Sequence, residues 1–250
     1  ATTLSNVCRM LDVELVTTQN RGVSGYWGRM GHYSIAAFAV QLVKDPELKE
    51  LLQNNLERLS FDVNTLREKT SSEILKNADF IPLADVADEV WKKYKSKPGG
   101  RDTKSLGNGR TTGPEHPNHY ADIDFPYQNG KSLRELCIEA PETYFTPAAF
   151  ADYYEWLATE HPDLGGCKTD PLKEGLLPFR IWQFFDEHKE AASTETVAFV
   201  AAAGLVAHYW GVAYQPLHGS VYADGDPTRT KTYTHPKSGK TETHSYPKGV

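Results

Sequence analysis

The sequence predicts a mainly α-helical single domain with a small β-hairpin near the C-terminus. Apolar residues recur at spacings of three and four over most of the chain, and strict two-residue alternation is scarce. The length of 250 residues is enough for a substantial core and is compatible with one domain. We therefore expect a polar N-terminal arm at 1–26 and one helical domain at 27–250.

The first predicted helix lies in "GHYSIAAFAVQLVKD", where Ile35, Phe38 and Leu42 fall on one apolar stripe. A second helix should begin next to it, because Asp45 can accept hydrogen bonds from free backbone N–H groups and Pro46 suits a first helical position. The same spacing predicts four further helices, at 133–138, 147–160, 172–189 and 193–213.

The remaining local signals concern helix ends, strands and loops. Ser193 is the expected cap of the last helix, with Glu195 in the first turn, where the helix dipole favours an anion. Alternation predicts strands in "LDVELVTT" at 11–18 and in 231–244, where Ser238 and Gly239 can turn a hairpin. The segment 96–118 is rich in glycine, proline and charge, which predicts a long loop.

Composition excludes some classes of protein. The formal net charge of −6 argues against a nucleic-acid partner held by overall positive charge. No run of about eighteen apolar residues is present, so no transmembrane segment is predicted. No signal-peptide pattern is visible. The 3 cysteines show no metal-type C-x-x-C spacing, which indicates structural or incidental thiols.

Histidines and aspartates at the ends of predicted elements carry the chemical signal. Imidazole and carboxylate groups together suit zinc, which takes about four such ligands and keeps one position for water when it is catalytic. These candidates are far apart in sequence, so spacing alone supports a zinc site only weakly. The candidate ligands are His32, Asp79, His119, His208 and His218.

Four short motifs resemble, in order, those of the all-helical superfamily of trinuclear-zinc phosphoesterases. This superfamily contains fungal and plant single-strand-specific nucleases and bacterial zinc-dependent phospholipase C. The motifs are "WGRMGH", "NAD", "NHYAD" and "HYWGVAYQPLH". They run from Trp27 to His218, and the last is the most specific. The resemblance implies a helical domain of the phospholipase C and single-strand nuclease type.

The resemblance also implies a metal cluster and a reaction. One zinc would be bound by Asp79, His119 and His208, a second would lie near Trp27 and His32, and a third near His218. Asp79 would help to position a metal-bound hydroxide that attacks phosphorus, since zinc lowers the pKa of bound water to about 7. The implied substrates are single-stranded nucleic acid or phospholipid. The implied location is extracellular or periplasmic.

Three positions depart from the pattern of this superfamily. Val212 occupies the position of an aspartate that bridges two zincs, and valine has no ligand atom. The nitrogen of Trp27 is an amide here, whereas in the superfamily it is a free terminal amine. Lys248 follows His244 where a carboxylate is expected. We therefore expect fewer than three zincs, with Val212 packing as an apolar residue.

Two classes of function follow from the sequence. The first is a zinc-dependent phosphodiester hydrolase with an incomplete metal cluster. The second is a non-catalytic relative that serves binding or assembly, with the 11–18 strand of the arm adding to a sheet edge of a neighbouring molecule, including another copy of the chain. The number of bound zinc ions distinguishes the two classes.

Overall fold

The computed structural model describes residues 28–76, 78–91, 115–164, 174–191, 195–222, 230–234, 239 and 241–245. The fold within these ranges is mainly α-helical, as predicted. The arm at 1–26, with its predicted strand, lies outside them. Most of the predicted 96–118 loop also lies outside them.

The helices of the described ranges vary from one turn to five. In chain order they are α1 Gly28–Leu42, α2 Pro46–Asn54, α3 Leu56–Leu59, α4 Val63–Glu68, α5 Ser71–Lys76, α6 Leu83–Val86, α7 Leu133–Glu139, α8 Pro141–Tyr144, α9 Pro147–Glu160, α10 Leu177–Ala191 and α11 Thr196–Ala213. A π-helical turn, Ala87–Trp91, continues α6, and 3₁₀ turns span His116–His119, Pro162–Leu164 and Pro216–Gly219.

Helix α11 is the central element of the core. Its buried face packs against α1, α6 and α10, and it carries the fully buried residues Tyr209 and Val212. It is 18 residues long with a mean hydropathy of 1.5, so by length and composition it could cross a membrane. However, 50% of this helix is buried inside the fold, and the core helix of a protein that does not span a membrane can be equally long and apolar.

Local sequence signals account for several helix starts. The Asp45 side chain accepts a hydrogen bond from the backbone N–H of Leu48 at 2.9 Å, and Pro46 is the first residue of α2, which confirms that prediction. Ser132 and Glu135 form a reciprocal capping box at the start of α7, which fixes where this helix begins.

Two predicted helix starts differ from the structure. The last helix begins at Thr196, and Glu195 is its N-cap without a side-chain hydrogen bond, whereas Ser193 lies outside the described residues. Helix α10 begins at Leu177 and not at 172, because Gly175 adopts a φ of +63°, which a helix does not accommodate. The apolar spacing extends to the N-terminal side of both helix starts, so it does not show where these helices begin.

Two antiparallel hairpins complete the described fold. The predicted C-terminal hairpin is present as β3 Thr230–Thr234 paired with β4 Thr241–Ser245, in a register that opposes the first residue of one strand to the last of the other. Sequence analysis missed the hairpin of β1 Pro126–Gln128 and β2 Lys131–Ser132. Its turn holds Asn129 and Gly130 at φ of 53° and 74°, and Asn-Gly is a strong hairpin signal.

Candidate metal centre

Helices α1 and α11 bring two distant histidines into contact inside the core. His32 is 5% exposed and His208 is fully buried. Their rings stack with centroids 4.2 Å apart and an angle of 23° between the planes. His32 lies one turn into α1 and His208 in the second half of α11, so the crossing of the two helices sets this contact.

A carboxylate and a third histidine close the group from two other segments. Asp88, in the π-helical turn, places Oδ2 3.6 Å from His32 Nε2 and Oδ1 3.2 Å from His119 Nε2. His119 ends the 3₁₀ turn His116–His119, and its Nε2 lies 3.2 Å from His208 Nε2. The ligand atoms of His32, Asp88 and His208 all lie within 4.8 Å of one another, and His119 contacts Asp88 and His208 from one side of this group. We call these four side chains the His/Asp cluster.

Backbone hydrogen bonds fix the ring tautomers of two histidines. His119 Nδ1 lies 2.9 Å from the carbonyl oxygen of Glu115, and His208 Nδ1 lies 2.7 Å from that of Ala84. A carbonyl oxygen only accepts hydrogen bonds, so each Nδ1 carries the hydrogen and donates it. In a neutral ring the proton is then absent from Nε2. The lone pair of such an Nε2 is available to a metal ion, as in metal-bound histidines.

A cation between His119 Nε2 and His208 Nε2 would stabilise the arrangement of these two facing nitrogens. Two lone pairs 3.2 Å apart repel each other, and a proton or a metal ion relieves the repulsion. Burial holds the pKa of His208 well below its usual value, and the charge of nearby His32 lowers it further. The ring of His208 is therefore neutral at physiological pH, which is the state that binds metal.

Three pairwise distances within the His/Asp cluster are close to those between neighbouring ligands of a tetrahedral site, although two of them involve different oxygens of Asp88. Zinc binds histidine nitrogen and carboxylate oxygen at about 2.0–2.2 Å, which places neighbouring ligand atoms of a tetrahedron roughly 3.3–3.6 Å apart. The observed separations are 3.2 Å, 3.2 Å and 3.6 Å. Side-chain ligand atoms of His32, Asp88 and His208 also lie within 4.8 Å of one another. The rings of His32 and His208 are stacked at 23°, so one of them would have to turn before both could bind a single ion.

Buried polar contacts anchor the segment that carries His119. Glu115 is 7% exposed and accepts hydrogen bonds from the hydroxyl of Tyr209 and from Arg180 Nη2, the latter at 3.2 Å. Burial, together with the bond to Glu115, raises the pKa of Tyr209, so its hydroxyl stays protonated and donates. Helices α10 and α11 thus hold the backbone carbonyl to which His119 is bonded.

Gly211 allows the ring of His32 to lie close to α11. A Cβ atom at this position would lie 2.9 Å from Ile35 Cδ1 and 3.0 Å from His32 Nδ1. Both distances are shorter than ordinary carbon contacts, so a side chain here would push α1 and its histidine away.

The Gly211→Ala variant should therefore bind zinc more weakly while remaining folded. Overpacking costs about 1–3 kcal/mol, and alanine returns about 1 kcal/mol through its higher helix propensity. We expect at least a tenfold rise in the zinc dissociation constant, measured by competition with a chelator. The matched control is Gly219→Ala, whose added Cβ would meet only Arg134 Nη2 at 3.1 Å and a backbone oxygen at 3.8 Å. Equal affinity in both variants would contradict this role of Gly211.

Three of the sequence-predicted ligands belong to the His/Asp cluster in the structure, whereas Asp79 does not. His32, His119 and His208 are in the cluster. Asp79 is exposed and lines a cleft with Arg29, and within the described ranges it joins no group of three ligand atoms. Asp88 supplies the carboxylate instead.

Three further positions from the sequence analysis have different outcomes. His218 is half-buried in the turn Pro216–Gly219, and its backbone oxygen accepts a hydrogen bond from the backbone N–H of Ala121 at 2.7 Å. Among the described residues, its ring does not belong to a group of three possible metal ligands. Trp27 lies outside the described residues. Val212 is 1% exposed and packs with Leu205 and Tyr209, as expected of an apolar residue.

Sequence reasoning missed Asp88 because its neighbourhood gave no motif. It lies in "LADVADEVW", which contains three acidic residues, and simple spacing does not show which of them faces the histidines. The π-helical turn changes the spacing at this point, and such turns are frequent at functional sites. The signal that the sequence offered was a helix with several acidic residues, near two helices that carry predicted metal ligands.

Together, the fold and the cluster define a mainly helical protein in which His32, Asp88 and His208 form a candidate metal-binding group. Comparison with known proteins finds similarity to a probable serine protease of Bradyrhizobium tropiciagri. The two are 51% identical over 262 aligned positions, which cover 100% of this chain and 33% of that protein. The chain thus spans about a third of the length of the curated relative it matches. No family model matches the chain, and no solved structure matches it.

This similarity corrects the family predicted from the sequence. The relative is named as a protease, so the assignment to the trinuclear-zinc phosphoesterases is wrong. The predicted phosphodiester hydrolysis, with its nuclease and phospholipase variants, is wrong as well. The four motifs are short and are built of histidine, glycine and aromatic residues, so they identify a family less reliably than similarity along the whole chain does. The assembly alternative gains no support from the comparison.

Proposed function

We propose that this chain belongs to a proteolytic enzyme and contributes a zinc-binding helical region to it. Identity of 51% along the whole chain to a probable serine protease supports the proteolytic setting. The observation that carries the metal is the pair of buried Nε2 atoms 3.2 Å apart, each directed inward by a backbone hydrogen bond from its own ring.

The donor set favours zinc among the common divalent ions. Two imidazoles and one carboxylate, from His32, His208 and Asp88, form a donor set that zinc accepts, whereas magnesium and calcium prefer oxygen. His32, Asp88 and His208 come from three separate segments of the chain, so a metal ion bound by them would stabilise the folded state. We therefore assign the metal a structural role, holding α1, α11, the π-helical turn and the 3₁₀ turn before Tyr120 together.

The proposed metal site does not supply the serine nucleophile that a serine protease requires. Ser60 Oγ donates to the backbone oxygen of Tyr33 at 2.6 Å, and Ser132 Oγ donates to Glu135 at 2.7 Å, so both hydroxyls serve the fold. Burial raises the pKa of Cys137 to about 11, which keeps it a thiol at neutral pH. We infer that the nucleophile is neither Ser60 nor Ser132.

Elemental analysis tests the metal. Protein purified without a histidine tag should contain one zinc per chain, and Asp88→Asn should weaken zinc binding by at least about tenfold. Asp152→Asn, which changes an exposed carboxylate on α9, is the matched control and should bind zinc normally. A zinc content unaffected by Asp88→Asn would contradict the site.

A serine-directed probe tests the proteolytic setting independently. The gene product that contains these residues, isolated at its natural length, should cleave casein and react covalently with a fluorophosphonate. The probe should label a serine other than Ser60 and Ser132. A product that neither cleaves casein nor reacts with the probe would contradict the proteolytic setting and leave the metal site to its own test.

A further inference from the structure

A cleft of about 310 Å³ lies beside the His/Asp cluster, on the far side of the same acidic segment. Asp79, Asp85 and Glu89 contribute carboxylates to its lining, and Arg29 contributes a guanidinium. Arg29 Nη2 forms an ion pair with Glu89, and Arg29 Nε lies 3.6 Å from Asp85 Oδ2. The cleft therefore carries more negative than positive charge.

Asp85 is the unusual group in this cleft. Its side chain is 1% exposed, and Oδ2 accepts a hydrogen bond from the Tyr33 hydroxyl at 2.9 Å. The other oxygen, Oδ1, is buried without a hydrogen-bond partner. An unpaired buried carboxylate oxygen is costly, and burial raises the pKa of Asp85 to about 7; a donor that reached Oδ1 from the cleft would favour the ionised form.

The remaining wall of the cleft is apolar. Phe80 and Ile81 are 44% and 39% exposed, which is high for large apolar side chains beside a charged group. A ligand with an apolar stem would cover part of this surface. The cleft volume is at the lower end of the range for ligand sites, so it suits a ligand the size of one long side chain.

The charges decide the sign of the ligand. Arg29 is occupied by Glu89 and Asp85, whereas Asp79 is exposed and Asp85 Oδ1 has an open lone pair. An anion would meet three carboxylates for one guanidinium. A cation that donates N–H groups meets two carboxylates and leaves the existing ion pair intact.

We propose that this cleft binds a guanidinium or primary ammonium group on an apolar stem, such as the side chain of arginine or lysine. Asp85 Oδ1 and Asp79 accept its N–H groups, and Phe80 and Ile81 cover the stem. This inference goes beyond the proposed function and does not depend on it, because binding is measured on the chain itself.

Calorimetric titration with matched small ligands tests the charge preference. Agmatine and acetyl-arginine methylamide should bind, and acetyl-citrulline methylamide, of nearly the same shape without the charge, should bind at least about tenfold more weakly. A capped Ala-Arg-Ala peptide that binds tighter than agmatine would identify a polypeptide source, and equal affinities would identify a small amine. Citrulline binding as tight as arginine, or tighter binding of acetyl-glutamate methylamide, would overturn the proposal.

Variants of the cleft separate binding from folding. Asp85→Asn still accepts the Tyr33 hydrogen bond and should weaken arginine binding by at least about tenfold. Asp79→Asn changes an exposed residue and should weaken it by about threefold. Arg29→Gln removes the competing guanidinium and should tighten binding, which a purely structural role for these residues does not produce. Asp152→Asn on α9 is the matched control. Unchanged affinity in both Asp85→Asn and Asp79→Asn would overturn the proposal.

Discussion

Addition of zinc to the metal-free protein should raise the free energy of unfolding by about 4 kcal/mol when free zinc is roughly 1,000 times its dissociation constant. The expectation follows because the His/Asp cluster assembles four segments that are separate in the unfolded chain, so zinc binds the folded state preferentially. The measurement is chemical denaturation monitored by tryptophan fluorescence, with and without zinc.

The His208→Ala variant should lose this zinc-dependent gain almost completely. The substitution also leaves a cavity and an unpaired carbonyl at Ala84, so the metal-free variant will be less stable by itself. The gain on adding zinc is therefore the quantity to compare, rather than the stability alone. His161→Ala is the matched control, since His161 packs on Phe125 and Trp156 away from the cluster, and it should keep the gain. A gain of equal size in both variants would place the metal elsewhere.

The second large effect is expected at Val212. Val212→Asp should lower the free energy of unfolding by more than about 3 kcal/mol, because it places a carboxylate among apolar side chains without a partner. Val212→Ala, which only removes methyl groups, should cost about 2 kcal/mol. Zinc stoichiometry should be the same in the folded fraction of both variants, measured by elemental analysis after gel filtration.

The result for Val212→Asp bears on how the sequence motif is interpreted. A variant that stays as stable as Val212→Ala and binds an additional zinc would show that the aspartate reaches the cluster. The packing of Val212 against Leu205 and Tyr209 argues for the opposite result.

The sequence predicted the helical elements well where one face is apolar and the ends carry strong local signals. Helix α9 occupies the predicted range 147–160, and α2 begins at the predicted Pro46. The start of α11 was less predictable, because Glu195 makes no side-chain cap. Its apolar residues surround it almost completely, so spacing alone could not locate the first turn.

The candidate site was predictable in its histidines but not in its carboxylate. His32, His119 and His208 were singled out as potential ligands by their positions at the ends of predicted elements and by the four motifs. Asp79 was chosen by motif alignment, whereas Asp88 depends on the path of the π-helical turn, which local spacing does not encode. The tautomers of His119 and His208 depend on carbonyls from other segments, so only the tertiary structure shows them.

The π-helical turn gives the acidic segment two faces with different tasks. Asp88 faces the histidines, while Asp85 and Glu89, three residues before it and one after it, face Arg29. The candidate metal centre and the cleft therefore share one continuous stretch of backbone. Any displacement of this stretch by a ligand at one site alters the other, and thermodynamic linkage requires the effect to be mutual. If zinc changes the affinity of the cleft for an organic cation by some factor, the cation changes the affinity for zinc by the same factor.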